Sequence, residues 1–136
     1  MAVVEQGIEV CSQNGFCFGN YEVKEKLKID QFEHNGDIYK LRTYNKATRL
    51  EKNDKLLIES VPGTAIHGFS ISAKVVSFKV EGSENSKITL ELEPETDYSI
   101  FIDDQSSGAM KTSLSGKITF NVDLTGGSRS VQIKKN

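Results

Sequence analysis

The chain has 136 residues, with seventeen Lys and Arg against nineteen Asp and Glu, two histidines, two cysteines and no tryptophan. Its formal charge of −2 withholds the positive field that phosphate binding needs, so nucleic acid is not an expected partner. A hydrophobic fraction of 37% and a charged fraction of 26% describe a globular chain able to bury one core, and no run approaches the ~18 to 20 apolar residues of a membrane span.

The N-terminal "MAVVEQGIEV" has neither a basic head nor a continuous apolar stretch and so is not read as a signal peptide. The expectation is a cytoplasmic chain as it stands, or an extracellular one if it is a module excised from a longer protein. Cys11 and Cys17 flank "SQNGF", where Asn14-Gly15 is a hairpin signal that would set them nearly opposite each other. A disulfide there would close a short loop, but a reducing cytoplasm argues against one. The expectation carried forward is that "FCF" is a half-buried strand with Cys17 packed as a small apolar residue. The cysteine spacing lacks both a Cys-x-x-Cys redox motif and the further ligands of a zinc site.

Period-two alternation then dominates, which means sheets with one buried and one wet face. "YEVKEKLKI" places Tyr21, Val23, Leu27 and Ile29 on one side, with Glu25 interrupting that face. His34 lies in the turn "EHNGD" and is expected in solvent. Ile38–Tyr44 is a strand on which Tyr39 and Tyr44, five apart, face opposite sides. Ala47–Lys55 tempts a helix assignment, but Asn53-Asp54 reads as a turn. In "LLIESVPGTAIHGF", Pro62 and Gly63 fit the central positions of a type II turn between strands Lys55–Val61 and Ala65–Ile71. If that hairpin lies on an open edge, Leu56, Ile58, Val61, Pro62 and Gly63 are candidates for strand addition by another chain; otherwise it is the central hairpin of the core.

Val75–Glu81, Lys87–Glu93, Tyr98–Ile102, Ala109–Ser113, Gly116–Leu124 and Ser130–Lys134 complete about ten strands. The fold class is all-β, an antiparallel β-sandwich in one domain over residues 1–136, with a subdivision near 72–75 as the one alternative. Asp103-Asp104 form a weak calcium candidate, since two carboxylates fall short of the six to eight oxygens that calcium takes. Their simpler role is as the tip of a hairpin. Glu91, Glu93 and Glu95 share the wet face of one strand and are simply solvated. His67 beside Ser60 or Cys11 is the remaining catalytic arrangement, and no nucleophile-elbow motif supports it.

The order "LELEPETDYSIFIDD", "GAMKTSL", "SGKITFNVDL", "RSVQIKK" resembles the end of bacterial immunoglobulin-like or fibronectin type III-like modules. That resemblance covers about the last 60 residues and implies immunoglobulin-like strand order in the C-terminal half. It also implies an accessory-domain role on a surface or carbohydrate-active protein. "RTYNKATRLEKNDKLLIESVPG" departs from the cyclic-dinucleotide-binding PilZ barrels, because Arg42 and Arg49 are seven apart and only Ser60 and Gly63 match the second motif. The functional expectation is a non-catalytic interaction or assembly module that binds a protein partner or itself through a strand edge or sheet face. A carbohydrate-binding accessory module is the alternative, and a small hydrolytic enzyme comes third. No cofactor is called for.

Overall fold

A computed structural model of the chain describes residues 3–12 and 15–136. Among the described residues thirteen strands run β1 (Ile8–Ser12), β2 (Gly15–Phe18), β3 (Leu27–His34), β4 (Asp37–Tyr44), β5 (Ala47–Lys52), β6 (Lys55–Val61) and β7 (Ala65–Ile71). They continue as β8 (Val75–Glu81), β9 (Ser86–Glu91), β10 (Asp97–Ile102), β11 (Gln105–Lys111), β12 (Lys117–Val122) and β13 (Arg129–Lys135). A seven-stranded antiparallel sheet has the order β1-β2-β7-β8-β13-β10-β11, and a six-stranded one the order β12-β9-β6-β5-β4-β3. Because β6 pairs with β9 and β7 with β8, both sheets run without a break across residues 72–75.

Alternating apolar side chains from both sheets meet in one core. Phe18, Leu41, Leu50, Ile66, Ile88 and Ile133 are each at most 1% exposed, and Phe18 packs edge-on against Phe69 at 5.8 Å. Three hairpins close with both turn residues at positive φ: Asn35-Gly36, Asn53-Asp54 and Asp103-Asp104. That backbone matches the right-handed twist of the flanking strands, and Asn, Asp and Gly tolerate it best.

The structure corrects several expectations. The described residues hold thirteen strands where about ten were expected; β1 and β5 are additions, and β2 is the strand expected at "FCF". The strand expected at Tyr21–Ile29 begins only at Leu27 and runs to His34, because its register is set by the Asn35-Gly36 hairpin with β4. Glu93 and Glu95 lie beyond β9, so the three glutamates do not share one strand. Glu93 instead pairs with Lys135 at 2.8 Å.

The largest difference concerns "VPGT". Strands β6 and β7 belong to different sheets, so Pro62 and Gly63 form a corner between the two layers and not a type II hairpin. Pro62 follows a cis peptide bond, and Gly63 is not at positive φ. Gly63 passes so close to the Tyr44 carbonyl oxygen that a Cβ there would collide with it. A buried polar cluster ties this corner down. The Thr48 hydroxyl donates to the Thr64 carbonyl at 3.0 Å, and the Thr64 N–H donates back to Thr48 Oγ1 at 3.1 Å. Thr48 also bonds Thr43 at 2.8 Å, and Ser60 bonds the Thr64 hydroxyl at 2.7 Å. The Asn20 N–H donates to Thr43 Oγ1 at 2.9 Å, bringing in the chain just after β2.

Thr48→Val keeps the volume but removes the hub of this cluster, leaving two buried backbone groups of Thr64 without their partner. A buried polar group without a partner costs ~1–3 kcal/mol, so urea unfolding should show a loss of about 2 kcal/mol or more. Thr119→Val, whose hydroxyl meets Thr89 on the half-exposed outer face, should stay within about 0.5 kcal/mol of the parent chain.

Candidate interaction surface

The two outward faces carry different chemistry. The six-stranded sheet presents a ladder of ion pairs, in which Arg42 meets Asp30 at 2.6 Å and Arg49 meets Glu51 and Glu59 at 3.0 and 3.2 Å. Strand pairing sets Arg42 directly opposite Arg49, a closeness that their sequence spacing hides. Each guanidinium is already neutralised by carboxylates, so this is a solvated charged face and not an anion clamp.

The seven-stranded sheet presents a groove of about 510 Å³. Its floor follows one row across the strands. Cys17 lies between the Phe16–Phe69 and Phe18–Ile66 pairs, beside His67 and Gly68 of β7. His67 faces Lys79 of β8, and Lys79 faces Ser130 of β13. Cys11 closes one end, and Asp104 lies at the other. Cys11 and Cys17 are joined by a disulfide with their Cα atoms 5.6 Å apart, which corrects the expectation of a free, packed thiol. Cys17 is buried as expected, at 4% exposure, but as the inner half of a cross-strand bond.

His67 does approach a carboxylate. Its Nε2 is 3.7 Å from Glu81 Oε1, beyond hydrogen-bond reach, and neither buried atom has a partner among the described residues. Tyr21 shares this environment: burial first, then the charges of Glu81 and Glu22, push its phenol above the ordinary value. Ser60 lies elsewhere, bonded to Thr64 in the corner cluster, so the structure does not bring it to His67. His34 ends β3 with its ring 4.8 Å from Phe16, half-buried where the sequence suggested open solvent. It lines an open cavity of about 530 Å³ at one end of the sandwich, with Phe16, Tyr39, Asp37 and Lys52.

The Leu56–Gly63 candidates do not form one surface. Ile58 is 1% exposed, Val61 is 49% exposed, and β6 is flanked by β5 and β9, so it offers no open edge. The two sheets end in four edge strands, β1, β3, β11 and β12, and the edge exposed along its whole length is that of β11. It ends the seven-stranded sheet, is exposed at every residue, and carries no charge from Gln105 through Met110. The sequence pattern starts this strand only at Ala109, because "QSSG" has no apolar alternation. A polar stretch without alternation reads as a loop, and here it is a strand with no buried face.

Asp103 shapes the turn into β11. Its carboxylate accepts from Arg129 at 2.8 Å and from the Ser130 N–H at 2.9 Å, which hold its pKa below the usual carboxylate value. Asp97 begins β10 at the far end of that strand, away from the doublet. No family model matches the chain, and no curated protein or solved structure matches it either.

Two outcomes follow for the doublet. Because the folded pKa of Asp103 is lowered, its stabilisation is complete above the unfolded carboxyl value of ~3.9 and is lost as pH falls toward the lower folded value. Asp103→Asn should therefore unfold more easily than the parent chain at neutral pH, with the gap between their urea midpoints closing below about pH 4. Millimolar calcium should leave the thermal midpoint of the parent unchanged, since both Asp103 oxygens already hold donors.

Proposed function

We propose that this chain is a non-catalytic assembly module that pairs with a second copy of itself through the open edge of β11. The observation that carries this reading is a seven-residue edge strand, about 24 Å long, that is exposed throughout and almost free of charge. Natural edge strands are usually blunted by charge or cover, and β11 has neither along its first six positions. Its one blunting device is a bulge opposite Ile100 and Phe101, where Gly108 takes positive φ.

Antiparallel pairing about a twofold axis would set Lys111 of one copy beside the Asp104–Gln105 turn of the other, so the only charges at the seam are complementary. A single short strand pair buries less than a standard interface of ~1,600 Å², which makes the association weak and concentration-dependent. An accessory module of the immunoglobulin-like kind suits this role, and the disulfide supports an extracellular setting over a reducing cytoplasm. Sugar binding gains no comparable support. Tyr39 and Tyr98 are buried, and Tyr44 lies under Lys26 at 5.3 Å.

Light scattering over a concentration series should show a monomer passing to a dimer. Ser107→Lys, which places on this edge the charge that blunts natural edge strands, should hold the chain monomeric while its circular dichroism stays that of the parent. A strict monomer at every concentration, with no protein partner captured by pull-down, would sink the proposal.

A further inference from the structure

We propose that the Cys11–Cys17 disulfide is a site of thiol–disulfide exchange, taking a small external thiol at the end of the groove on the seven-stranded sheet. Four observations carry it. The two sulfurs differ in access: Cys11 is exposed, whereas Cys17 is 4% exposed, so an incoming thiolate reaches the Cys11 sulfur. Cys11 sits at the register shift between Val10 and Ser12, where β1 slips against β2, so its backbone is not locked into an uninterrupted ladder. The disulfide forms one end of a concave groove and not a flat or covered surface. Finally, the strand register places His67 next to Cys17 and Lys79 next to His67, so an imidazole and an ammonium lie on the side of the inner sulfur away from Glu9.

The charged groups around the pair are few. Glu9 lies opposite Cys17 on β1, and its carboxylate accepts from the Gln6 amide at 2.8 Å. Glu81 stands 3.7 Å from His67 on the side where β7 meets the end of β8. Lys79 has no ion pair among the described residues and is exposed, so its ammonium is available to the groove.

The step balances without a further reactant. The thiolate of the external thiol attacks Cys11 Sγ; a new S–S bond forms to the reagent, the Cys11–Cys17 bond breaks, and its electron pair leaves on Cys17 Sγ. The Lys79 ammonium and an imidazole N–H of His67 oppose the charge on that leaving thiolate, and leaving is faster when the departing thiol is more acidic. Attack by Cys17 on the mixed disulfide reverses the step. Attack by a second external thiol on the reagent's sulfur instead leaves both cysteines reduced and one molecule of oxidised reagent.

The test uses the full chain in reduced glutathione near neutral pH, with acid quenching, maleimide trapping and peptide mass mapping. The expected adduct is glutathione on Cys11 with maleimide on Cys17. Lys79→Gln and His67→Gln should each slow its formation by about threefold or more, the scale of one unit of thiol acidity. Lys134→Gln, whose ammonium covers Phe101 at 5.1 Å outside the groove, should leave the rate unchanged. If His67→Gln fails to fold, Lys79→Gln carries the comparison alone, since Lys79 is exposed. Small additions of urea should not accelerate the reaction, which separates attack on the native groove from attack on unfolded chain. Glutathione on Cys17, two free thiols in air-oxidised protein, rates that follow urea, or Lys79→Gln reacting at the parent rate would each overturn the proposal.

Discussion

The hydrogen-bonded hub at Thr48 and Thr64 is the constraint on which the two-layer arrangement depends. Thr48 stands on the inner face of the six-stranded sheet, while Thr64 leads into the seven-stranded one. A corner between layers exposes backbone polar groups in what would otherwise be apolar core, and such groups must be paired. Thr43, Thr48, Ser60 and Thr64 supply those partners from side chains short enough to pack tightly, and all four are at most 1% exposed. Gly19, at positive φ, lets the chain after β2 pass against the Thr64 carbonyl, where a Cβ would collide. Apolar burial supplies the general drive to collapse, but this cluster fixes which strand leaves one sheet and where it enters the other.

Once β6 and β7 are divided at that corner, the strand order places β11 at the outside of its sheet. The interior strands β6 and β7 gain neighbours on both sides, so the apolar "LLIES" segment is consumed by the core. The uncharged "QSSGAM" segment is left at the margin. The same division turns His67, Lys79 and Ser130 outward in one row and brings the disulfide hairpin alongside them.

Much of the architecture was legible in the sequence. Val76, Phe78 and Val80, or Ile88 and Leu90, alternate cleanly and are buried as alternation requires. Asn35-Gly36, Asn53-Asp54 and Asp103-Asp104 announced their turns through residues that accept a left-handed backbone. What could not be read was pairing between distant segments. Nothing local says that "VPGT" changes sheets, since a Pro-Gly step suits a hairpin equally well. Nor does any spacing rule bring Cys17 beside His67 or Arg42 opposite Arg49; those relations exist only after register is set. The disulfide is legible as hairpin geometry, whereas the compartment that weighs against one is not a property of the hairpin.

Residue-resolved native-state hydrogen exchange addresses the central claim, a sandwich pinned at its corner with one edge left open. The Thr64 amide should exchange only with global unfolding, while the β11 amides pointing away from β10 should exchange quickly in dilute protein and slow as concentration rises. A Thr64 amide exchanging at the rate of surface loops, or β11 amides indifferent to concentration and to added protein partner, would contradict it.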